Sequence, residues 1–199
     1  MGGGVNADAS VFFALWLQKP LRIAAVNPSG ARLADALARC VDLARPGPIL
    51  ELGAGTGSLT QGLVRAGCLP GRILVLEREP ALVAVLRREF PAMTLIEGDA
   101  TRIGDYLAGS VERLAGVVSS LPIKWFPIEA QYTGVRPWLD LLGPGSRFLQ
   151  LTNAFSSPLA VDRLGIAGRE IARIWLNLPP TQIWAYSERP ESSGDGAAR

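Results

Sequence analysis

Short apolar runs alternate along this chain with stretches whose apolar residues recur at helical spacing. Seven runs read as strands, at 48–50, 72–77, 93–96, 114–119, 147–152, 170–176 and 182–186. Between them, helices are expected over 31–43, 58–66, 80–89 and 101–107, with a fifth from just after Pro127 through 142. Leu33, Ala36, Leu37, Cys40 and Val41 give the first of these its apolar face, with Ser29 as its expected N-cap. Arg45-Pro46-Gly47-Pro48 ends that helix, and Gly143-Pro144-Gly145 is expected to turn into the fifth strand. Strand and helix in alternation predict an α/β fold, a mostly parallel sheet with helices on both faces. In such sheets ligands bind beyond the carboxyl ends of the strands. Residues 29–189 read as one domain, and 190–199 as a polar tail.

The amino-terminal segment, 1–28, departs from this pattern. A helix is expected over 8–19, and from Val11 through Phe12 and Trp16 to Leu17 it is apolar all round. It is too short for the ~20 residues of a membrane span. Two readings stand: an anchor on a membrane surface, flanked by Lys19 and Arg22, or a helix packed on the domain's own core. Its start lacks the basic region and cleavage site of a secretory signal, so an intracellular protein is expected.

Composition narrows the chemistry. The chain has 199 residues, 48% of them hydrophobic, with a formal net charge of +2, which neither demands nor excludes a polyanionic partner. Cys40 and Cys68 stand in no metal or redox spacing, and no metal is expected. Histidine is absent, which removes Ser-His-Asp and Cys-His catalysis. Proton transfer falls to a carboxylate, a tyrosine, a lysine or water.

The densest signal is Glu-Leu-Gly-Ala-Gly-Thr-Gly-Ser-Leu-Thr, residues 51–60, between the first strand and its helix. Gly53, Gly55 and Gly57 let the backbone take φ > 0 and approach a ligand closely. A dinucleotide loop wants G-x-G-x-x-G/A, but Ser58 stands at the last position. Glu51 repels a diphosphate and suits a cationic or hydroxylic ligand. An acid followed by G-x-G-x-G resembles the first motif of the Rossmann-like S-adenosylmethionine (SAM) methyltransferases. A glycine turn that merely joins strand to helix is the bland alternative. Glu77 ends the second strand about twenty residues on, where such folds place the acid for ribose hydroxyls. Asp99 and Ala100 follow the third strand, suited to an adenine edge, to a helix cap, or to both. Ser119 and Ser120 follow the fourth. Four placements on one sheet edge argue for a ligand more strongly than the turn alone.

With these residues placed, the chain from about 12 to 189 resembles the bacterial phospholipid N-methyltransferases. The resemblance is carried by the apolar first helix, Pro28-Ser29 and E-L-G-P-G-T-G with Ala54 for Pro. It continues through Gly98-Asp99-Ala100, S-G-L-P with Ser120 for Gly, and the late Asn177-Leu178-Pro179-Pro180. It implies a seven-stranded class I SAM methyltransferase that converts phosphatidylethanolamine towards phosphatidylcholine, or methylates an ornithine lipid. It implies SAM held by Ser29, Glu51, Gly53, Ala54, Gly55, Thr56, Gly57, Glu77, Arg78, Asp99, Ala100 and Ser119. Ser119, Ser120 and Tyr132 would serve transfer, and Lys124, Trp125, Phe126, Asn177 and Pro179 the substrate. The partners implied are a membrane lipid and the inner face of the cytoplasmic membrane, with no nucleic acid. The rRNA adenine dimethylases share the architecture, but their N-L-P-[YF] has Ser120 and Ile123 in place of its Asn and aromatic. A small soluble acceptor is the remaining alternative.

For an amine substrate the protein need supply no nucleophile, only alignment and charge management. An alkylammonium titrating near ~10 is neutral about once in a thousand at pH 7, and burial raises that share. Aromatic faces suit a methylated cation, with Trp125 and Phe126 ahead of Trp184 and Tyr186, although ordinary core packing is the favoured reading of each.

Overall fold

The computed structural model describes residues 28–175 and 180–189. The expected helix at 8–19, the Asn177 and Pro179 positions and the tail lie outside the described residues.

The strands are β1 (Ile49–Leu52), β2 (Ile73–Glu77), β3 (Thr94–Glu97), β4 (Leu114–Ser119), β5 (Leu142–Thr152), β6 (Ile166–Ile174) and β7 (Thr181–Glu188). They form one sheet in the order β3-β2-β1-β4-β5-β7-β6. The first five run parallel, and β7 is antiparallel to both β5 and β6. β1 lies inside the sheet between β2 and β4, and all four of its residues are buried, which is why it reads as an unbroken apolar run apart from Glu51.

The helices are α1 (Pro28–Ala38), α2 (Ser58–Arg65), α3 (Pro80–Glu89), α4 (Ile103–Leu107), α5 (Ile128–Asp140) and α6 (Val161–Leu164). Two cores cover the two faces of the sheet. One packs Leu50, Leu52, Val117 and Phe148 against Trp138 and Val135 of α5; the other packs Ile49, Val75 and Val118 against Leu37 of α1 and Leu63 of α2. α1 and α2 come close because Gly62 has no Cβ: one there would lie 2.9 Å from the Ala34 carbonyl. Arg65 clamps the pair through Asp35 at 2.6 Å.

Several expectations shift. α1 starts at Pro28 and ends at Ala38, so Ser29 stands inside its first turn and not at the expected N-cap position. β5 begins at Leu142: pairing steps from Leu114–Leu142 to Gly116–Arg147, so Gly143-Pro144-Gly145 forms an irregular start to the strand. β6 begins at Ile166, and the short helix α6 precedes it unannounced.

Candidate active site at the carboxyl edge of the sheet

The glycine turn leaves β1 with the Gly53 N–H donating to the Leu76 carbonyl at 2.9 Å. Gly53, Gly55 and Gly57 have φ of +71°, +60° and +83°, values that L side chains rarely adopt. The three differ in surroundings. A Cβ on Gly53 would lie 2.4 Å from Leu121, and one on Gly57 2.4 Å from Phe90, while one on Gly55 would meet nothing within 4 Å. The outer glycines are packed by the protein itself, and the middle one faces open space. Gly57 is also the left-handed cap of α2.

Two carboxylates flank the turn. Glu77 accepts the Gly55 N–H on Oε2 at 2.9 Å and the Arg78 and Glu79 N–H groups on Oε1 at 2.8 and 3.0 Å. It therefore ties the end of β2 to the middle of the glycine turn. Glu51 is only 1% exposed. Its Oε2 accepts from the Thr60 hydroxyl at 2.7 Å, and its Oε1 has no partner. Burial pushes the Glu51 pKa up to about 7; the Thr60 hydrogen bonds oppose that shift and the Glu77 charge adds to it.

Further along the edge, Asp99 takes both the N–H and the hydroxyl of Thr101 on Oδ1, at 2.9 and 2.8 Å. It caps the 3-10 turn Ala100–Arg102 with one carboxylate oxygen. The Ala100 carbonyl accepts from Trp138 Nε1 at 2.8 Å. Ser119 is buried and its Oγ accepts the Leu121 N–H at 3.1 Å; the Ser120 hydroxyl donates to the Gly53 carbonyl at 3.0 Å. These bonds join the loop after β4 to the glycine turn. Ala54 is buried, Thr56 half-buried and Arg78 exposed.

The structure thus brings together Glu51, the glycine turn, Glu77, Asp99, Ser119 and Ser120. The other expected residues are more dispersed. Lys124 and Trp125 are exposed, Trp125 at 63%, and Phe126 is half-buried. Tyr132 is 55% exposed on α5. Tyr186 is core: it is fully buried against Phe148, shares a hydrogen bond with Ser157, and burial pushes its pKa well above the ordinary phenol range. Trp184 stacks on it, half-buried. The start of β7 lies on the same edge, where the Thr181 hydroxyl donates to Asn153 Oδ1 at 2.7 Å.

Two glutamines escaped the sequence reading. Gln131 Nε2 donates to the Ile123 and Phe126 carbonyls, both at 3.2 Å, and its Oε1 accepts the Ala160 N–H at 3.3 Å. Gln150 Nε2 donates to the Leu121 carbonyl at 2.8 Å. The available signal was a lone amide inside the run Phe148-Leu149-Gln150-Leu151. Among the described residues no cluster of His, Cys, Asp or Glu could hold a metal.

An orphaned buried carboxylate oxygen by β1, an open cradle over Gly55 and an acid at the end of β2 suit a ligand that carries a cation near one end and hydroxyls near the other. Solved methyltransferases share the fold. Magnesium protoporphyrin IX methyltransferase from Synechocystis PCC 6803, a structure with bound SAM, aligns at TM-score 0.58 over 95% of this chain and 87% of that one, at 16% identity. Fold and site together define a class I SAM-dependent methyltransferase, and SAM is its cofactor. No family model matches the chain. The ornithine lipid N-methyltransferase of Singulisphaera acidiphila is 30% identical over 149 residues, 73% of this chain and 78% of that one, and the chain belongs to the family of that enzyme. A shorter similarity, 35% over 68 residues, links 34% of the chain to 22% of the ribosomal RNA small subunit methyltransferase A of Chlorobium phaeobacteroides.

Proposed function

We propose that this methyltransferase acts on the amine head group of a membrane lipid. The observation that carries the reading is the ornithine lipid N-methyltransferase, similar over 78% of its own length. Ornithine lipid is accordingly the first acceptor to try, and phosphatidylethanolamine, methylated towards phosphatidylcholine, is the second.

Glu51, Glu77, Asp99 and the 53–57 turn hold the cofactor, which when bound supplies a methyl group activated by a sulfonium. With SAM bound, the site would align the lone pair of a neutral amine with that methyl group, and a carboxylate, Tyr132 or water would take the surplus proton from nitrogen. Ser119 and Ser120 orient the amine. Lys124 meets the head group's anion, and Trp125 and Phe126 offer aromatic faces to the methylated cation. Asn177 and Pro179 are assigned to the substrate side on the family motif alone. No helix among the described residues is long and apolar enough to cross a membrane. Contact with the bilayer is assigned to Val11, Phe12, Trp16 and Leu17, on the inner face of the cytoplasmic membrane.

Labelled SAM offered to vesicles of ornithine lipid, vesicles of phosphatidylethanolamine, and ribosomal RNA tests the reading. Lipid should take up label and RNA should not. RNA is the second reading, because of the rRNA methyltransferase similarity, and label in RNA with silent lipid would establish it instead. Phe12→Asp with Trp16→Asp should abolish vesicle flotation while SAM affinity survives. Flotation unchanged would remove the membrane role of that segment.

A further inference from the structure

Among the described residues, two buried side-chain oxygens have no hydrogen-bond partner, Glu51 Oε1 and Gln150 Oε1. The first belongs to the cofactor site. The second is not explained by it. Sheet register sets Gln150 beside Ser119 of β4 on one side and Trp184 of β7 on the other, whereas Glu51 is level with Val118. Side chains alternate between faces along a strand, so Gln150 shares the face of Ser119, opposite to that of Glu51.

The amide's orientation is fixed by its neighbours. Nε2 donates to the Leu121 carbonyl at 2.8 Å and to the Leu151 carbonyl at 2.5 Å. Turning the amide over would set its oxygen against two carbonyl oxygens. Oε1 is therefore an acceptor with nothing to accept, on a fully buried side chain. A buried acceptor without a partner is destabilising, and a methionine or leucine would fill the same strand position without that penalty. The place is telling as well: the Leu121 carbonyl that Nε2 holds belongs to the loop whose Ser120 is bonded to the glycine turn.

We propose that Gln150 is a substrate-binding residue: Oε1 accepts an N–H of the amine to be methylated, while Nε2 keeps the 119–122 loop in place. This rests on the N-methyltransferase reading above. An amide oxygen suits the task because it bears no net charge. It orients a neutral amine through an N–H and leaves the lone pair free. A carboxylate in the same position would favour the ammonium, which has no lone pair to give. Oε1 is closed to solvent, so the amine reaches it only when the groups packed over it shift aside, while the Leu121 bond is kept.

The test compares wild type, Gln150→Met and Gln150→Glu in steady-state methyl transfer, first to amine lipid and then to RNA, with SAM affinity measured by calorimetry. Gln150→Met should raise KM for the amine substrate about tenfold, the loss of one neutral hydrogen bond, with SAM affinity within about twofold of wild type. Gln150→Glu should hold the ammonium, keeping KM at or below the wild-type value while kcat falls about a hundredfold and recovers as pH is raised. A purely structural glutamine, or one whose oxygen takes a buried water, would leave KM unmoved in both variants and lower kcat alongside thermal stability. That result, with wild type active, overturns the inference and leaves the proposed function standing. A wild type silent on every amine-bearing acceptor overturns both.

Discussion

At the scale of single residues, Glu51 is expected to set how the candidate site responds to pH. Its pKa is raised from 4.5 to about 7, so the native state holds this proton more tightly than the unfolded chain does. The sign follows: the contribution to stability is complete below 4.5 and is lost as pH rises through about 7. Urea unfolding of the free protein should show that decline, and Glu51→Gln should flatten it. A cationic ligand prefers the ionised carboxylate, so wild-type SAM affinity should rise between about pH 6 and about pH 8 and stay level in the glutamine variant. Identical pH profiles for the two proteins would remove Glu51 from the cofactor site. Glu77→Ala strips three backbone N–H groups of their acceptor and should weaken SAM binding by about 1–3 kcal/mol. Unchanged affinity in a folded variant would contradict that role.

At the scale of an element, the glycine turn separates two functions that its sequence writes identically. Gly57 is held at φ +83° with Phe90 pressed against it, whereas Gly55 is held at φ +60° with nothing near. Gly57→Ala therefore meets both backbone strain and a clash, and should cost about 2–4 kcal/mol in denaturant unfolding. Gly55→Ala meets strain alone, about 1–2 kcal/mol, yet projects into the open cradle and should lower SAM affinity more than Gly57→Ala does. The opposite ranking on either measurement would mean that the cradle lies elsewhere. Gln131 acts at the same scale, since one side chain bonds both the 123–126 turn and the loop before α6.

At the scale of the whole molecule, the two halves of the sheet meet in an aromatic cluster. Phe148 of β5 lies edge-on to Trp138 of α5, with ring centroids 5.6 Å apart, and 5.7 Å from Tyr186 of β7. All three are fully buried. Phe148→Ala should cost about 3–5 kcal/mol, which for a domain of this size lowers the melting temperature by roughly 10 °C. Calorimetric melting checks this, and a shift of only a degree or two would show that the two halves are stabilised separately.

The sequence by itself determined the parallel half of the sheet. β1, β2 and β4 are buried on both faces, so each must be a continuous apolar run, and the polar residues that end them mark the binding edge. Glu51, the three glycines and Glu77 were legible for the same reason: a charge or a missing side chain against an apolar strand end has few other uses. The end of the fourth strand placed Ser119 and Ser120 on that edge, and the family resemblance gave them a part in transfer. What only the tertiary structure decided depends on partners distant in sequence. The irregular start of β5 looks locally like a turn, because Gly143-Pro144-Gly145 is one until Leu114 pairs with Leu142 across the sheet. β6, at the sheet's edge, exposes much of its length and carries no apolar run to mark its start. Gln150 is an ordinary polar residue until the fold buries it and brings Leu121 to its amide, and the Glu51 pKa rises to about 7 only when the fold buries its carboxyl, against the pull of the Thr60 hydrogen bonds. Local pattern fixes which segments become strands and helices, because that depends on neighbours along the chain. Burial and hydrogen bonding across the sheet fix which polar atoms are left for a ligand.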